Sequence, residues 1–385
     1  MPKMPILLLL LVGCVACTSP APREELPDLR PGHEPPVETA EAGLWMQMEK
    51  FEQNLKTSGL RVRDPALNEY IKDTVCKIAG PHCGDIRVYI LRIPEFNASM
   101  APNGMMQVWT GLLLRATNEA QVAYVLGHEI GHFLRRHSLQ IWQDTRRKSS
   151  LFAYFNLLSA IIGIPGYAYN VAQLATLGSL FEFSRDAEWE ADQLGFELTT
   201  KAGYEPREAA KLWRILLEER DAADEPTPWV FFSTHPPTEE RIKNLERLGR
   251  KADPGIIGEK PYRAAIDPWL ETLLDDELQQ RRFARTQIVL NHLLETKHRQ
   301  GELYYFQGEL YRLRDKEGDE EKAEQAYAKA LNYPDTPVET YRELGLLSLK
   351  RDENQQARIY LQQYLEMKPE AEDREMIRAY LQELE

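Results

Sequence analysis

The sequence predicts a mainly α-helical protein with one small β-sheet, an α+β unit followed by an all-α domain. Three observations carry that reading. Strand signals are confined to one stretch, Ile86 to Trp109, where a period-2 run precedes two apolar runs joined through Asn103-Gly104. Before and after it, apolar residues recur at helical spacing. From about residue 268 the chain is charged and helix-forming, with glycine, alanine and proline recurring at separations of 37, 34 and 35 residues.

The elements follow in chain order. Residues 1–13 read as a signal peptide: Lys3, an apolar run from Ile6 to Val12, then small residues and cysteine. Leu11-Val12-Gly13-Cys14 resembles the lipobox of bacterial lipoproteins, with Cys14 expected as the acylated residue and Cys17 the alternative. Residues 14–43 are rich in Pro and Glu and are expected to be an extended, disordered tether. Trp45, Met48, Phe51 and Leu55 then open a helical domain, expected over 44–255, with a second helix around Pro65–Ile78. Cys76 and Cys83 bracket Gly80-Pro81. A pair around a turn, in an oxidising compartment, reads as a disulfide; the alternative, a metal site with His82, gives a poor tetrahedral set.

A long helix is expected from Asn118, whose side chain can cap the first turn with Gln121 three residues on, to about His137. Residues 151–183 are strongly apolar but interrupted at Gly163-Ile164-Pro165-Gly166, which suits buried helices or a cover over a cleft better than membrane spans. Further helices are expected over 184–202, over 205–220 and from Thr238. In residues 256–385, Gly308 and Gly345, Ala323 and Ala357, and Pro334 and Pro369 mark two units close to the period of tetratricopeptide repeats. A generic helical bundle is the plainer alternative.

Composition excludes one class. With 60 acidic against 47 basic residues the net charge is −13, which repels a phosphate backbone, so no nucleic-acid partner is expected.

The chemistry is carried by Val125-Leu126-Gly127-His128-Glu129-Ile130-Gly131-His132. Positions four apart share a helix face, so His128 and His132 can aim at one metal ion, and Glu129 projects into the same cleft as a candidate general base. Zinc with two histidines needs a third protein ligand and an open position for water. Glu188 and Asp192, again four apart, can supply the ligand and a carboxylate that hydrogen-bonds the far nitrogen of His128. Glu190 reads as a solvated acidic face. His137, five residues after His132 on one continuous helix, would lie about 140° away and could not share the metal face.

HEIGHFLRRH, then SRDAEWEADQLG, then THPPTEERI, in that order, resemble the motifs of the HtpX/BepA-like zinc metallopeptidases, gluzincins related to the CAAX prenyl proteases. The resemblance covers roughly residues 45–250. It implies an α+β gluzincin domain binding one zinc ion per chain through His128, His132 and Glu188, with Glu129 as base and Asp192 behind His128. It implies that His235 can occupy the fourth zinc position and hold the enzyme off, with Arg241 close by. Asn97 to Gly104 resembles the family's segment beside an active-site edge strand, with Ser99 and Asn103 departing from the usual residues. An extended substrate is expected to pair near Met105–Trp109. Tethered by lipid and carrying C-terminal repeats, the chain resembles the BepA-like members in domain order. That implies a periplasmic endopeptidase on the outer membrane acting on unfolded or partly assembled envelope proteins. The repeats would be the link to outer-membrane assembly machinery. A chaperone or assembly factor in which the repeats do the main work is the alternative.

Overall fold

The computed structural model describes residues 26–147, 183–223, 231, 235, 236 and 238–384. The signal segment, Cys14, Cys17 and the apolar stretch up to residue 182 lie outside the described residues.

Of the span expected as a tether, residues 26–39 run against the folded domain. Leu29 is buried and its N–H donates to the carbonyl of Leu134 at 2.8 Å, while Asp28 pairs with Arg135. Low apolar content therefore did not prevent docking, because one leucine and one carboxylate find partners. Thr39 caps α1 (Ala40–Thr57), and Asp64 caps α2 (Pro65–Ala79), where proline sits in the first turn. Leu67, Ile71, Val75 and Ile78 form the buried stripe of α2. A 3₁₀ turn, Gly80–Asp85, brings the Cα atoms of Cys76 and Cys83 to 4.5 Å. His82 instead pairs with Asp85 at 3.0 Å.

The sheet has three strands, β1 (Arg87–Leu91), β2 (Ala98–Met100) and β3 (Met105–Trp109), in the order β1-β3-β2. The β2–β3 hairpin turns at Asn103-Gly104 as its sequence predicts. Gly104 has φ +83°, and a Cβ there would lie 2.0 Å from the carbonyl oxygen of Asp85, so only glycine fits. β1 pairs with β3 in parallel, Arg87 opposite Met105. This corrects the expected substrate strand: β3 is the central strand, hydrogen-bonded on both sides, and the edge is β2. The outer side of β1 is met by residues 60–62, where the Val62 N–H donates to the Ile90 carbonyl and that of Arg92 to Leu60.

After α3 (Thr110–Arg115), Asn118 caps α4 (Glu119–Leu134) by accepting from the Gln121 N–H, and Gln121 reaches back to the N–H of Thr117. Every residue from Ala120 to Leu134 is buried. The helix stops earlier than its pattern predicts. Arg136 turns to φ +58°, and α5 (His137–Arg147) starts in a new direction. The corner is pinned from outside by Leu29, by Asp28 on Arg135, and by Glu41, whose Oε2 accepts from Arg136 at 2.5 Å. Ser184 caps α6 (Arg185–Lys201); α7 (Glu208–Ala222) and α8 (Glu239–Gly249), capped by Thr238, follow.

The remaining described helices are α9 (Glu259–Ile266), α10 (Leu270–Gln279), α11 (Phe283–Glu295), α12 (Gln300–Arg314), α13 (Asp319–Ala330), α14 (Glu339–Lys350), α15 (Asn354–Met367) and α16 (Arg374–Glu383). α12 with α13 and α14 with α15 form two helical hairpins. Gly308 sits on the ring of Tyr327 and Gly345 on Leu361, with Ala323 and Ala357 fully buried between the helices. The hydrophobic core does not break at residue 256. One continuous cluster includes Leu112, Leu126 and Leu216 together with Tyr262, Leu274, Leu290 and Leu310. Across that joint the fully buried Arg115 bonds both Glu219 and Glu277, at 2.8 and 3.0 Å, and the Tyr262 hydroxyl donates to the Leu113 carbonyl. Among the described residues no helix is long and apolar enough to cross a membrane.

Candidate metal centre

Two helices, α4 and α6, make the site, and three glycines let them approach closely. A Cβ on Gly131 would lie 2.9 Å from the Ala191 carbonyl oxygen, and one on Gly195 would lie 2.7 Å from the His128 backbone nitrogen. Gly127 likewise faces Thr199. At that distance the i, i+4 pair of α4 meets the i, i+4 pair of α6.

His128, His132, Glu188 and His235 are buried and each offers one atom, all within 4.8 Å of one another. His128 Nε2 lies 3.1 Å from His132 Nε2 and 3.3 Å from His235 Nδ1, and His132 Nε2 lies 3.2 Å from Glu188 Oε1. A tetrahedron of ligands about 2.0 Å from zinc has edges of about 3.3 Å, so these separations suit such an ion. The fourth, 2.7 Å between His235 Nδ1 and Glu188 Oε1, is a hydrogen-bond distance. Three imidazoles and a carboxylate are a donor set suited to zinc, and the residues present fit it. Glu129 is beside the cluster, with Oε1 3.5 Å from His235 Nε2.

A further layer of side chains fixes these donors. Asp192 is fully buried, with Oδ1 2.9 Å from His128 Nδ1; it also accepts from the Tyr124 hydroxyl and from both Nε and Nη2 of Arg241, each at 2.8 Å. Arg241 extends Nη1 to Glu188 Oε2 at 2.6 Å and lies over the Trp213 ring. Burial alone would raise the Asp192 carboxyl, but Arg241 and His128 hold it well below the usual range. At Glu188, too, burial is outweighed, by His235 and Arg241. Burial dominates at Glu129, whose carboxyl is pushed up, the direction a general base near neutral pH requires. Burial also pushes His132 down, keeping the imidazole neutral and able to bind metal.

The structure thus brings together the seven residues the sequence nominated for the metal centre: His128, Glu129, His132, Glu188, Asp192, His235 and Arg241. Three participants escaped sequence reasoning. Phe183 stacks on the His132 ring with centroids 3.8 Å apart. Tyr124 lies four residues before His128 on the same helix face, a signal that was available. His137, placed off the metal face by assuming a continuous helix, instead reaches His132 Nδ1 at 2.9 Å because the chain bends at Arg136. Glu190, read as solvated, is half-exposed and faces His137 Nε2 at 3.4 Å. His33, His292 and His298 pair with Glu41, Glu218 and Asp267 and join no metal set. Asn103 donates to Glu52, and its Oδ1 accepts from the Met105 N–H, so this departure from the family pattern serves the hairpin.

Comparison with known proteins agrees with this geometry. Residues 61–248 match the model of Peptidase family M48. The chain is similar to the Beta-barrel assembly-enhancing protease of Escherichia coli K12, 24% identical over 229 residues, which are 57% of this chain and 46% of that protein. It is also similar to the Mitochondrial metalloendopeptidase OMA1 of Schizosaccharomyces pombe, 34% identical over 161 residues, 41% of this chain and 45% of the relative. The OMA1 of Arabidopsis thaliana is 34% identical over 181 residues, 45% of this chain and 34% of the relative. The chain thus spans less than half the length of each of these relatives.

Proposed function

From residues 61–248, a metallopeptidase domain of family M48 in a chain similar to beta-barrel assembly-enhancing proteases, we propose that this protein is a zinc-dependent endopeptidase of the bacterial cell envelope. The observation that carries the reading is the convergence of His128, His132 and Glu188 with Glu129 alongside. Zinc supplies Lewis acidity at the scissile carbonyl and makes water more acidic. Glu129 takes the proton from the attacking water and passes it to the leaving amine. Asp192 fixes the tautomer of His128, and Arg241 steadies both Asp192 and Glu188. An extended substrate adds along β2, Ala98–Met100, the edge strand among the described residues, which packs on α4 and shares a small cavity with His132.

His235, whose Nε2 faces Glu129, would complete the ligand set of a bound zinc ion and would have to move aside before a water and a substrate could enter. The substrates are unfolded or partly assembled envelope proteins, held by the helical hairpins of residues 300–367 acting as tetratricopeptide repeats. Acylation at Cys14, or at Cys17 in its place, would anchor the chain to the outer membrane, and the periplasm would oxidise Cys76 and Cys83 to a disulfide.

The test is metal content and hydrolysis together. The purified protein should carry about one zinc per chain and degrade an unfolded substrate such as casein, with activity abolished by chelator. Glu129→Gln should keep the metal and lose cleavage. Client maturation that survives in Glu129→Gln would instead favour the chaperone reading, in which the helical hairpins do the work.

A further inference from the structure

The two histidines of the metal pair are held from behind in different ways. His128 has a carboxylate, Asp192, at its Nδ1. His132 has another imidazole, His137 Nδ1, at 2.9 Å. His132 directs Nε2 toward Glu188 and His128, so the metal-facing nitrogen is Nε2 and the proton sits on Nδ1. His137 Nδ1 must then accept, which leaves the His137 proton on Nε2, directed at Glu190 Oε2 at 3.4 Å. The orientation is consistent at every step, from His132 through His137 to Glu190.

We propose that His137 is a positioning residue of the metal centre, accepting the Nδ1–H of His132 and oriented in turn by Glu190. This rests on the metallopeptidase reading above, since His132 must be a ligand for its orientation to matter. An imidazole behind a ligand serves as the carboxylate does: it fixes which nitrogen faces the metal and stops rotation of the ring. The backbone is shaped for it. His137 follows Arg136, a non-glycine residue at φ +58°, and this bend swings its ring back onto α4. Leu29, Asp28 and Glu41 hold the bend in place, and His137 itself is only 2% exposed. A left-handed arginine costs conformational energy that neighbouring contacts must offset, which fits a corner kept for its geometry.

The experiment exploits which atom matters. Asparagine places an acceptor oxygen close to where histidine has Nδ1, whereas glutamine places its amide near Nε2. Zinc dissociation constants would be measured on the full chain by competition with a chromogenic chelator, for wild type and for H137N, H137Q and H137F. H132A is the reference for a lost ligand. Expected are affinities within a few-fold of wild type for H137N and a weakening of about 10- to 100-fold for H137Q and H137F. E190A should weaken binding by less, since Glu190 acts one step further out. Should H137F fail to fold, the comparison of H137N with H137Q still decides. Equal affinity in H137N and H137Q, whether both normal or both weak, would overturn the proposal. If the wild type held no zinc, or H132A kept it, the metallopeptidase reading itself would fall, a result distinct from any ordering among the His137 variants.

Discussion

Arg241 touches a candidate ligand and the partner of another ligand at once, through Glu188 and Asp192. Its planar fork cannot be copied by an ammonium group. Arg241→Lys should therefore weaken zinc binding by about 10-fold despite the conserved charge, and Arg241→Ala by more, both measured by chelator competition. His235 is different in kind. It is buried at the fourth corner of the set, within reach of both Glu188 and Glu129, so His235→Ala should keep zinc and show raised cleavage or self-cleavage. A sharp fall in activity, with zinc retained, would mean that His235 assists the reaction instead of blocking it. Most of this site was legible residue by residue, because i, i+4 spacing on a helix fixes a face. His137 was not, because its position depends on the backbone at Arg136, where an arginine gives no local sign of a left-handed turn.

Among the elements, the closeness of α4 and α6 is set by Gly127, Gly131 and Gly195. Gly131→Ala would press a methyl group onto the Ala191 backbone, which has no flexible end to yield. The helices should separate, at a cost of about 1–3 kcal/mol, with loss of zinc as the more sensitive readout. Helix starts were readable from Asn118, Ser184 and Thr238, whose side chains accept from the third residue on. Strand order was not, because β1 reaches its parallel neighbour β3 past β2, and a non-local pairing leaves no mark on a hairpin's own sequence. Further along, the hydrogen bond from Arg314 holds the Asp319 carboxyl, in the first turn of α13, down to about 2. Its folded value lies below the unfolded one, so its stabilisation is present above about pH 4 and is lost as pH falls through about 2. Asp319→Asn should cost about 1–2 kcal/mol in thermal unfolding at pH 7, and the difference should close near pH 2.

At the scale of the whole molecule, the sequence suggests a catalytic unit ending near residue 255 and a separate helical one. The described core runs through that point, and Arg115 would lose its Glu277 partner if the chain were cut there. A buried charge deprived of a partner is strongly destabilising, about 3–5 kcal/mol. Deleting residues 260–385 should yield an aggregating or unfolded product, whereas deleting 338–385 removes only α14 to α16 and should leave a folded, zinc-binding chain. Calorimetry of the full chain should show residues 61–314 melting in one transition. Composition hid this joint, because Tyr262, Leu274 and Leu290 look like any helical core residues until their partners are known.

The edge strand is three residues long, and that brevity bears on which molecules can be digested. In an antiparallel pair only alternate residues point their backbone groups outward, here Ala98 and Met100, so an added strand gains at most four hydrogen bonds, from the two N–H and two C=O groups. At about 1 kcal/mol net for each, this supplies at most about 4 kcal/mol, no better than millimolar affinity. A tripeptide or tetrapeptide should accordingly be a poor substrate whatever its residues. Specificity constants should climb with the length of an unstructured polymer, as stretches remote from the scissile bond find other footholds. A chromogenic peptide series of increasing length would measure the slope, and a flat series would mean that the β2 edge, or a region near it, grips far more strongly than its hydrogen bonds allow.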